Sequence, residues 1–277
     1  MPKKPRLAAI QMASSPNVSA NLLEARRLIR EAVDESGANL VVLPENFAFM
    51  GDKDRDLLDL REQEGRGPLQ DFLAEMASRH RIWLVGGTVP LAAANPDQVR
   101  AACLVFNDRG ERVARYDKIH LFDVKLLETG ERYEESATIE PGNATVVLDT
   151  PFGRLGLSVC YDLRFPELYR EMLDVGVEIV ALPACFTAIT GKAHWEVLVR
   201  ARAIENLCYL VAAAQGGYHR NGRKTHGHSM VVDPWGTILA QIPRGAGHVW
   251  SPLDREYLAS VRHNFPVLEH RRLTCRV

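Results

Sequence analysis

Two stretches of this chain resemble each other, "RLAAIQMA…GANLVVLPENF" in the first half and "RLGLSVCY…GVEIVALPACF" in the second. Each runs from an arginine through an apolar segment to a glycine and a second apolar segment, a pattern typical of a β-α-β unit. The aligned pairs are Arg6 with Arg154, Gly37 with Gly176, Pro44 with Pro183, and Phe47 with Phe186. Arginine and glycine are 31 residues apart in the first copy and 22 in the second, which predicts a shorter second helix. The chain is therefore predicted to contain a duplicated β-α-β unit.

Two such halves, each a sheet with helices on one face, can pack sheet against sheet. The predicted fold is an α/β four-layer α-β-β-α sandwich of two mostly parallel or mixed sheets with an internal pseudo-twofold repeat, forming a single domain over residues 1–277. The predicted strands are 6–13, 39–45, 82–91, a hairpin within 101–120, 154–161, 178–185, 209–217, 228–241 and 247–254. The predicted helices are 19–37, 68–81, 165–175, 194–208 and 255–264. Residues 121–144 are polar and irregular, which predicts a long functional loop.

Overall charge and cysteine usage exclude several classes of protein. The formal net charge of −1 gives no field that would attract nucleic acid or an anionic membrane. The five cysteines, an odd number at wide spacings, indicate neither a disulfide framework nor a zinc ribbon. No apolar run approaches the ~20 residues of a membrane span, and the N-terminal run is too short for a signal peptide. We expect a cytoplasmic protein with no nucleic-acid or membrane partner.

Three residue types that suit hydrolysis occur near predicted strand ends. Cys160 lies at the end of an apolar run; from the thiol alone, a buried structural cysteine is the simpler interpretation. Glu45 ends the run "NLVVLPE", and Lys118 precedes the long loop. Taken singly, Glu45 and Lys118 would each be interpreted as a solvated residue at the end or edge of a strand. Together they suggest that Glu45 accepts the thiol proton while Cys160 attacks a carbonyl or nitrile carbon, and that Lys118 stabilises the resulting oxyanion.

Competing motifs are incomplete. The chain has no GxSxG, no papain-like cysteine motif and no GxGxxG. The segment "GYHRNGRKT" comes within one residue of a P-loop, but Arg223 stands where the lysine is required, and a strand rather than a helix is predicted after it. His219, His226 and His228 have no carboxylate or cysteine to complete a metal site. We therefore predict neither a metal nor a cofactor.

The segments "LVVLPENF", "KIHLFDV" and "GLSVCYDLRFPELYR" resemble the nitrilase (carbon–nitrogen hydrolase) superfamily. The resemblance extends from Leu7 to about Arg272. It implies the α-β-β-α sandwich and a Glu-Lys-Cys triad, which fall here on Glu45, Lys118 and Cys160. It also implies that the cysteine lies on a strained turn after a strand.

The same resemblance implies supporting residues. The oxyanion donors are the Lys118 ammonium and the backbone N–H of Tyr161. A second glutamate that positions substrate or water matches Glu135 best, with Glu134 left open. Arg164 is a candidate to bind a substrate carboxylate, or alternatively to pair with Asp162 or Glu167 as a structural ion pair. Thr190 is a further candidate substrate contact.

Within the superfamily, "GHSMVVDPWGTILAQ" and "FPVLEHRRL" are similar to the deaminated glutathione amidase branch. This implies hydrolysis of deaminated glutathione to 2-oxoglutarate and cysteinylglycine through a cysteine thioester. The alternatives are an ω-amidase acting on 2-oxoglutaramate or 2-oxosuccinamate, a nitrilase, or a non-catalytic binding member of the family. The resemblance also implies a homodimer or larger homo-oligomer, formed through 165–175, 194–208 and the C-terminal tail. The remaining cysteines, 103, 185, 208 and 275, are predicted to be structural.

Overall fold

The structure, a computed structural model, describes residues 4–126 and 130–273; Cys275 lies outside these residues. The strands are β1 (Arg6–Gln11), β2 (Leu40–Val42), β3 (Trp83–Val85), β4 (Val89–Ala92), β5 (Val99–Phe106), β6 (Arg112–Asp117), β7 (Asp123–Lys125), β8 (Arg132–Glu134), β9 (Val147–Thr150), β10 (Gly153–Leu157), β11 (Ile179–Ala184), β12 (Tyr209–Ala214), β13 (Met230–Val232), β14 (Ile238–Gln241) and β15 (Gly247–Pro252). The α-helices are α1 (Val18–Ser36), α2 (Pro68–His80), α3 (Pro166–Asp174), α4 (Ala188–Thr190), α5 (Glu196–Asn206) and α6 (Arg255–Asn264). Short 3-10 helices cover Asp54–Leu60, Glu135–Ala137 and Cys160–Arg164, and a π-turn, Gly191–Trp195, joins α4 to α5.

The strands form two large mixed sheets and one small ribbon. The first sheet has the order β15-β1-β2-β3-β5-β4, with β6 also paired to β5. The second sheet has the order β14-β13-β12-β11-β10-β9. In each sheet the three central strands are parallel and the flanking strands antiparallel. The segment predicted as a loop, 121–144, contains the antiparallel ribbon of β7 and β8.

The predicted duplication is visible in the strand register. Leu7 of β1 lies opposite Leu40 of β2, and Leu155 of β10 lies opposite Ile179 of β11. These are the positions that the sequence alignment makes equivalent. Gly37 directly follows α1, whereas Gly176 lies two residues beyond the end of α3, and both glycines have positive φ, 65° and 84°, a conformation that glycine adopts without strain. The two copies therefore share sequence and pairing register.

Alternate residues of β1 face different layers of the molecule. Ala8 and Ile10 pack with the buried faces of α1 and α2, whereas Leu7 and Ala9 belong to the core that the two sheets share. On the far side, α3 and α5 contribute Met172 and Val199 to the layer that covers the second sheet. The order of layers is thus helix, sheet, sheet, helix, as predicted from the repeat.

Several elements differ from their predicted bounds. The predicted strand 82–91 is divided into β3 and β4 at Gly86 and Gly87. A Cβ on Gly87 would collide with the carbonyl oxygen of Pro44, so the chain must pass here without a side chain, directly beside Glu45.

In the part of the chain that the structure describes, no helix combines the length and apolar character needed to cross a membrane.

Candidate active site

Cys160 begins the 3-10 helix that follows β10, three residues beyond the end of the strand. Its φ of 48° is unusual for a residue with a side chain, and such a conformation typically costs about 1–3 kcal/mol unless the surroundings enforce it. The Sγ atom accepts a hydrogen bond from the backbone N–H of Cys185 at 3.4 Å. The thiol therefore lies on a strained turn at the mouth of the second sheet.

The turn is held by Asp162, whose side chain is fully buried. Its carboxylate accepts hydrogen bonds from the N–H of Val159 at 2.8 Å and the hydroxyl of Tyr116 at 2.6 Å. It also accepts from the N–H of His120 at 3.0 Å and contacts the His120 ring Nδ1 at 2.7 Å. Because Tyr116 and His120 lie on either side of Lys118, this one carboxylate joins the cysteine turn to the segment that carries the lysine. The sequence reasoning considered Asp162 only as a partner of Arg164 and missed this role.

Glu45 and Lys118 meet in the interior. The Lys118 Nζ lies 2.8 Å from Glu45 Oε1, and both side chains are almost completely buried. Glu45 lies three residues beyond the end of β2 and Lys118 one residue beyond β6, so the predicted strand-end positions are slightly wrong: the triad residues occupy the turns that follow the strands. A turn allows a side chain to bend over the edge of a sheet, where a strand residue would point into one face.

Glu135 forms the second carboxylate partner of Lys118. Its two oxygens lie 2.7 and 2.8 Å from the Lys118 Nζ, and Oε2 accepts the N–H of Phe122 at 2.7 Å. Glu134, the alternative, is exposed and pairs with Arg132. The structure therefore brings Glu135, and not Glu134, to the lysine.

Burial and charge set the protonation states. Burial, aided by the Glu45 carboxylate, raises the pKa of the Cys160 thiol well above its usual value. Burial alone would lower the pKa of Lys118, but the carboxylates of Glu135 and Glu45 hold it well above its usual value. Burial also raises the pKa of Glu135, although the ammonium opposes the shift. At neutral pH the site therefore holds a thiol rather than a thiolate, beside a charged lysine.

The other predicted residues, Tyr161, Arg164 and Thr190, line the same cleft, which is partly open to solvent. Tyr161 packs edge-on against Phe122, with 5.1 Å between ring centres. Thr190 lies at its rim, bonded to Thr187 through the two hydroxyl oxygens at 2.8 Å. The guanidinium of Arg164 contacts His194 Nδ1 at 3.1 Å and lies over the rings of Tyr161 and Phe186.

The structure does not support the structural alternative for Arg164. Within residues 4–126 and 130–273, Arg164 makes no ion pair with a carboxylate, and Asp162 is engaged by the donors named above. The Arg164 guanidinium thus lies in the cleft without a carboxylate partner among the described residues.

Sequence reasoning also missed Arg223 as a cleft residue. Its guanidinium donates from Nη2 to the carbonyl of Cys185 at 3.3 Å and lies over the ring of Tyr133. The available signal is a cation in the glycine-containing segment "GYHRNGRKT", which by its sequence resembles only an incomplete phosphate-binding loop. The histidines of that region do not assemble a metal site: among the described residues no group of three or more potential metal ligands occurs.

The family model described as Carbon-nitrogen hydrolase matches residues 6–263 of this chain. The chain belongs to the carbon–nitrogen hydrolase family. A relative from Yersinia enterocolitica named deaminated glutathione amidase is 43% identical over 271 residues, 98% of this chain and 94% of that protein. This carbon–nitrogen hydrolase also resembles the solved structure of Saccharomyces cerevisiae Nit3, a member of branch 10 of the nitrilase superfamily. The TM-score is 0.87 and the identity 32%, covering 98% of this chain and 97% of that one.

A second solved structure is also similar to this carbon–nitrogen hydrolase. It is a mutant of the amidase from Nesterenkonia sp. AN1, with 26% identity and a TM-score of 0.76, covering 96% of this chain and 99% of that one. There, acrylamide has undergone Michael addition at the active-site cysteine. The predicted superfamily, the sandwich fold and the assignment to an amidase family are confirmed.

Proposed function

We propose that this carbon–nitrogen hydrolase cleaves deaminated glutathione, a small carboxylate-bearing amide, to 2-oxoglutarate and cysteinylglycine through a thioester on Cys160. The observation that carries the proposal is the buried Lys118 ammonium held between Glu45 and Glu135, close to a thiol that stays protonated. The relatives' name supports the choice of substrate.

In the proposed first step, Sγ of Cys160 attacks the amide carbon while its proton passes to Glu45. The carbonyl oxygen becomes an oxyanion, stabilised by Lys118 and the backbone N–H of Tyr161. The tetrahedral intermediate then breaks its carbon–nitrogen bond. Glu45 returns the proton to the leaving amine, which departs as cysteinylglycine, and the 2-oxoglutaryl group remains as a thioester.

In the second step, water attacks the thioester carbon and gives its proton to Glu45, with Glu135 orienting the water and the ammonium. Breaking the carbon–sulfur bond releases 2-oxoglutarate and returns the proton to the thiol. General-base assistance of this kind contributes about 10²–10⁴ in rate. We propose that Arg164, with its charge uncompensated, binds the carboxylate of the 2-oxoacid part, and that Thr190 contributes a rim hydroxyl.

Mass spectrometry after a brief pulse of deaminated glutathione tests the proposal. We expect a 2-oxoglutaryl adduct on the wild type, but none on Cys160→Ala, which should fold normally and lose turnover. Cys208→Ala is the matched control, because Cys208 is a fully buried thiol outside the cleft. Turnover by Cys160→Ala, or faster turnover of 2-oxoglutaramate or a simple nitrile than of deaminated glutathione by the wild type, would overturn the assignment.

We also propose that the protein acts as a homodimer in the cytoplasm. Exposed apolar side chains on one side of the second helical layer support the dimer: Val197 and Ile204 of α5 are 67% and 42% exposed. Trp235 and Phe265 form an exposed aromatic pair. The described cysteines are all free, which supports a reducing compartment. Sedimentation analysis should show a dimer for the wild type and a smaller species for Ile204→Glu; a monomeric wild type would contradict the dimer.

A further inference from the structure

Arg223 has a guanidinium whose donors are mostly unused. Of five N–H donors, one reaches the carbonyl of Cys185 at the long distance of 3.3 Å. The Nε atom is buried without any hydrogen-bond partner, the only such side-chain nitrogen or oxygen in the described part of the chain. Arg223 also makes no ion pair with a carboxylate within residues 4–126 and 130–273. An unsatisfied buried donor of this kind calls for a physical explanation.

The loop holds Arg223 firmly in place. Its carbonyl oxygen accepts the N–H of His219 at 2.9 Å, and its own N–H donates to Asn221 Oδ1 at 3.0 Å. Asn221 in turn donates to the carbonyl of Gly51 at 2.7 Å, which ties the loop to the first half of the chain. The partly buried guanidinium that this loop carries has lost part of its hydration without gaining an ion pair among the described residues, which carries a free-energy penalty. A negatively charged ligand in the cleft would remove that penalty.

Arg223 and Arg164 are held on different aromatic rings. Arg223 lies 5.1 Å from the centre of the Tyr133 ring, and Arg164 lies 5.7 Å from that of Tyr161. The Phe122 ring packs against both, 5.1 Å from each ring centre. The two guanidiniums therefore lie over separate rings that both contact Phe122, so each can pair with an anionic group of its own.

We propose that Arg223 binds a second substrate carboxylate, carried by the amine that leaves, so that the enzyme selects dianionic amides. This rests on the proposed function, in which Arg164 takes the carboxylate of the acyl part. In deaminated glutathione the second carboxylate is that of the terminal glycine. The ω-amidase substrate 2-oxoglutaramate, which releases ammonia, has no such group and leaves Arg223 without a partner.

The test compares three substrates: deaminated glutathione, its analogue with a carboxamide on the glycine, and 2-oxoglutaramate. The wild type should prefer the carboxylate to the carboxamide by about ten- to a hundredfold in kcat/KM, as expected for a charge-assisted pair. Arg223→Met should lose that preference and keep its activity on 2-oxoglutaramate. Arg223→Lys should retain part of the preference, and Arg220→Met, an exposed neighbour in the loop, should retain all of it.

The outcomes separate the possible roles of Arg223. If Arg223→Met loses activity equally on all three substrates and its thermal midpoint falls, the residue is structural and the inference is wrong. If the thermal midpoint of Arg223→Met is unchanged but its activity still falls equally on all three substrates, Arg223 and Arg164 bind the same carboxylate. That result also contradicts the inference. A wild type that hydrolyses deaminated glutathione and its carboxamide equally well refutes the inference but leaves the amidase assignment intact. A wild type that hydrolyses none of the three refutes both.

Discussion

Replacing Asp162 with asparagine removes one charge and one acceptor from the turn that carries Cys160. In the wild type, Oδ2 accepts from Tyr116 and Val159, and Oδ1 accepts from the N–H of His120 and contacts its ring. Whichever way the new amide turns, its NH₂ group faces a backbone N–H, that of Val159 or of His120. One buried donor therefore loses its acceptor, and the remaining bonds lose their assistance from charge.

The energetic effect follows from these contacts. An orphaned buried N–H costs about 1–3 kcal/mol, and each bond that changes from charged to neutral loses roughly 0.5–1 kcal/mol. We expect Asp162→Asn to reduce the free energy of unfolding by about 3–5 kcal/mol. The loss of these contacts should also let the Cys160 thiol shift relative to Lys118. A shift of about 1 Å should reduce kcat by about 10².

Urea unfolding and steady-state kinetics on the same preparations check both effects. Asp174→Asn is the matched control, because that side chain is exposed and pairs only at the surface with Arg271 at 2.7 Å. The control should stay within about 0.5 kcal/mol of the wild type. If Asp162→Asn matches the control in stability and retains full kcat, the carboxylate does not hold the turn and the reasoning is refuted.

Two further predictions concern the charged groups. Glu135→Gln should lower kcat by about 10² because it removes one of the two carboxylates on Lys118, whereas Glu134→Gln should leave it unchanged; kinetics that reverse this order would assign the second glutamate to Glu134. Burial raises the pKa of Cys208 from 9.0 to about 12, so this group stabilises the fold fully below pH 9 and less as the pH rises toward 12. Between those values the free energy of unfolding should fall by about 1.4 kcal/mol per pH unit from this thiol. Urea titrations above pH 9 should therefore show that the free energy of unfolding falls less steeply with pH in Cys208→Ala than in the wild type. Equal pH dependences in the two proteins would contradict the assignment of this effect to Cys208.

The internal repeat made the architecture predictable from sequence. Apolar periodicity and glycine positions act over a few neighbouring residues, so they can be identified without knowing the fold. The repeat then predicted which strands correspond, and the register of Leu7 with Leu40 and Leu155 with Ile179 agrees with it. The predicted strand ends were less accurate, because Glu45 and Cys160 continue apolar runs into the turns that follow β2 and β10.

The residue types of the site could likewise be proposed from sequence, since a thiol, a carboxylate and an ammonium near strand ends form a chemically coherent set. Only the tertiary structure could decide between Glu134 and Glu135, because Glu134 ends β8 while Glu135 begins the 3-10 helix that follows it, and the position of that helix beside Lys118 is set by packing. Only the tertiary structure could show that four polar contacts converge on Asp162 and that the Arg223 Nε is buried without a hydrogen-bond partner. Glu45 and Lys118 are 73 residues apart in the chain, and what brings them together is the packing of separate loops at one edge of the sheets. Local sequence patterns contain no information about that convergence, and the charge balance of the cleft depends on it.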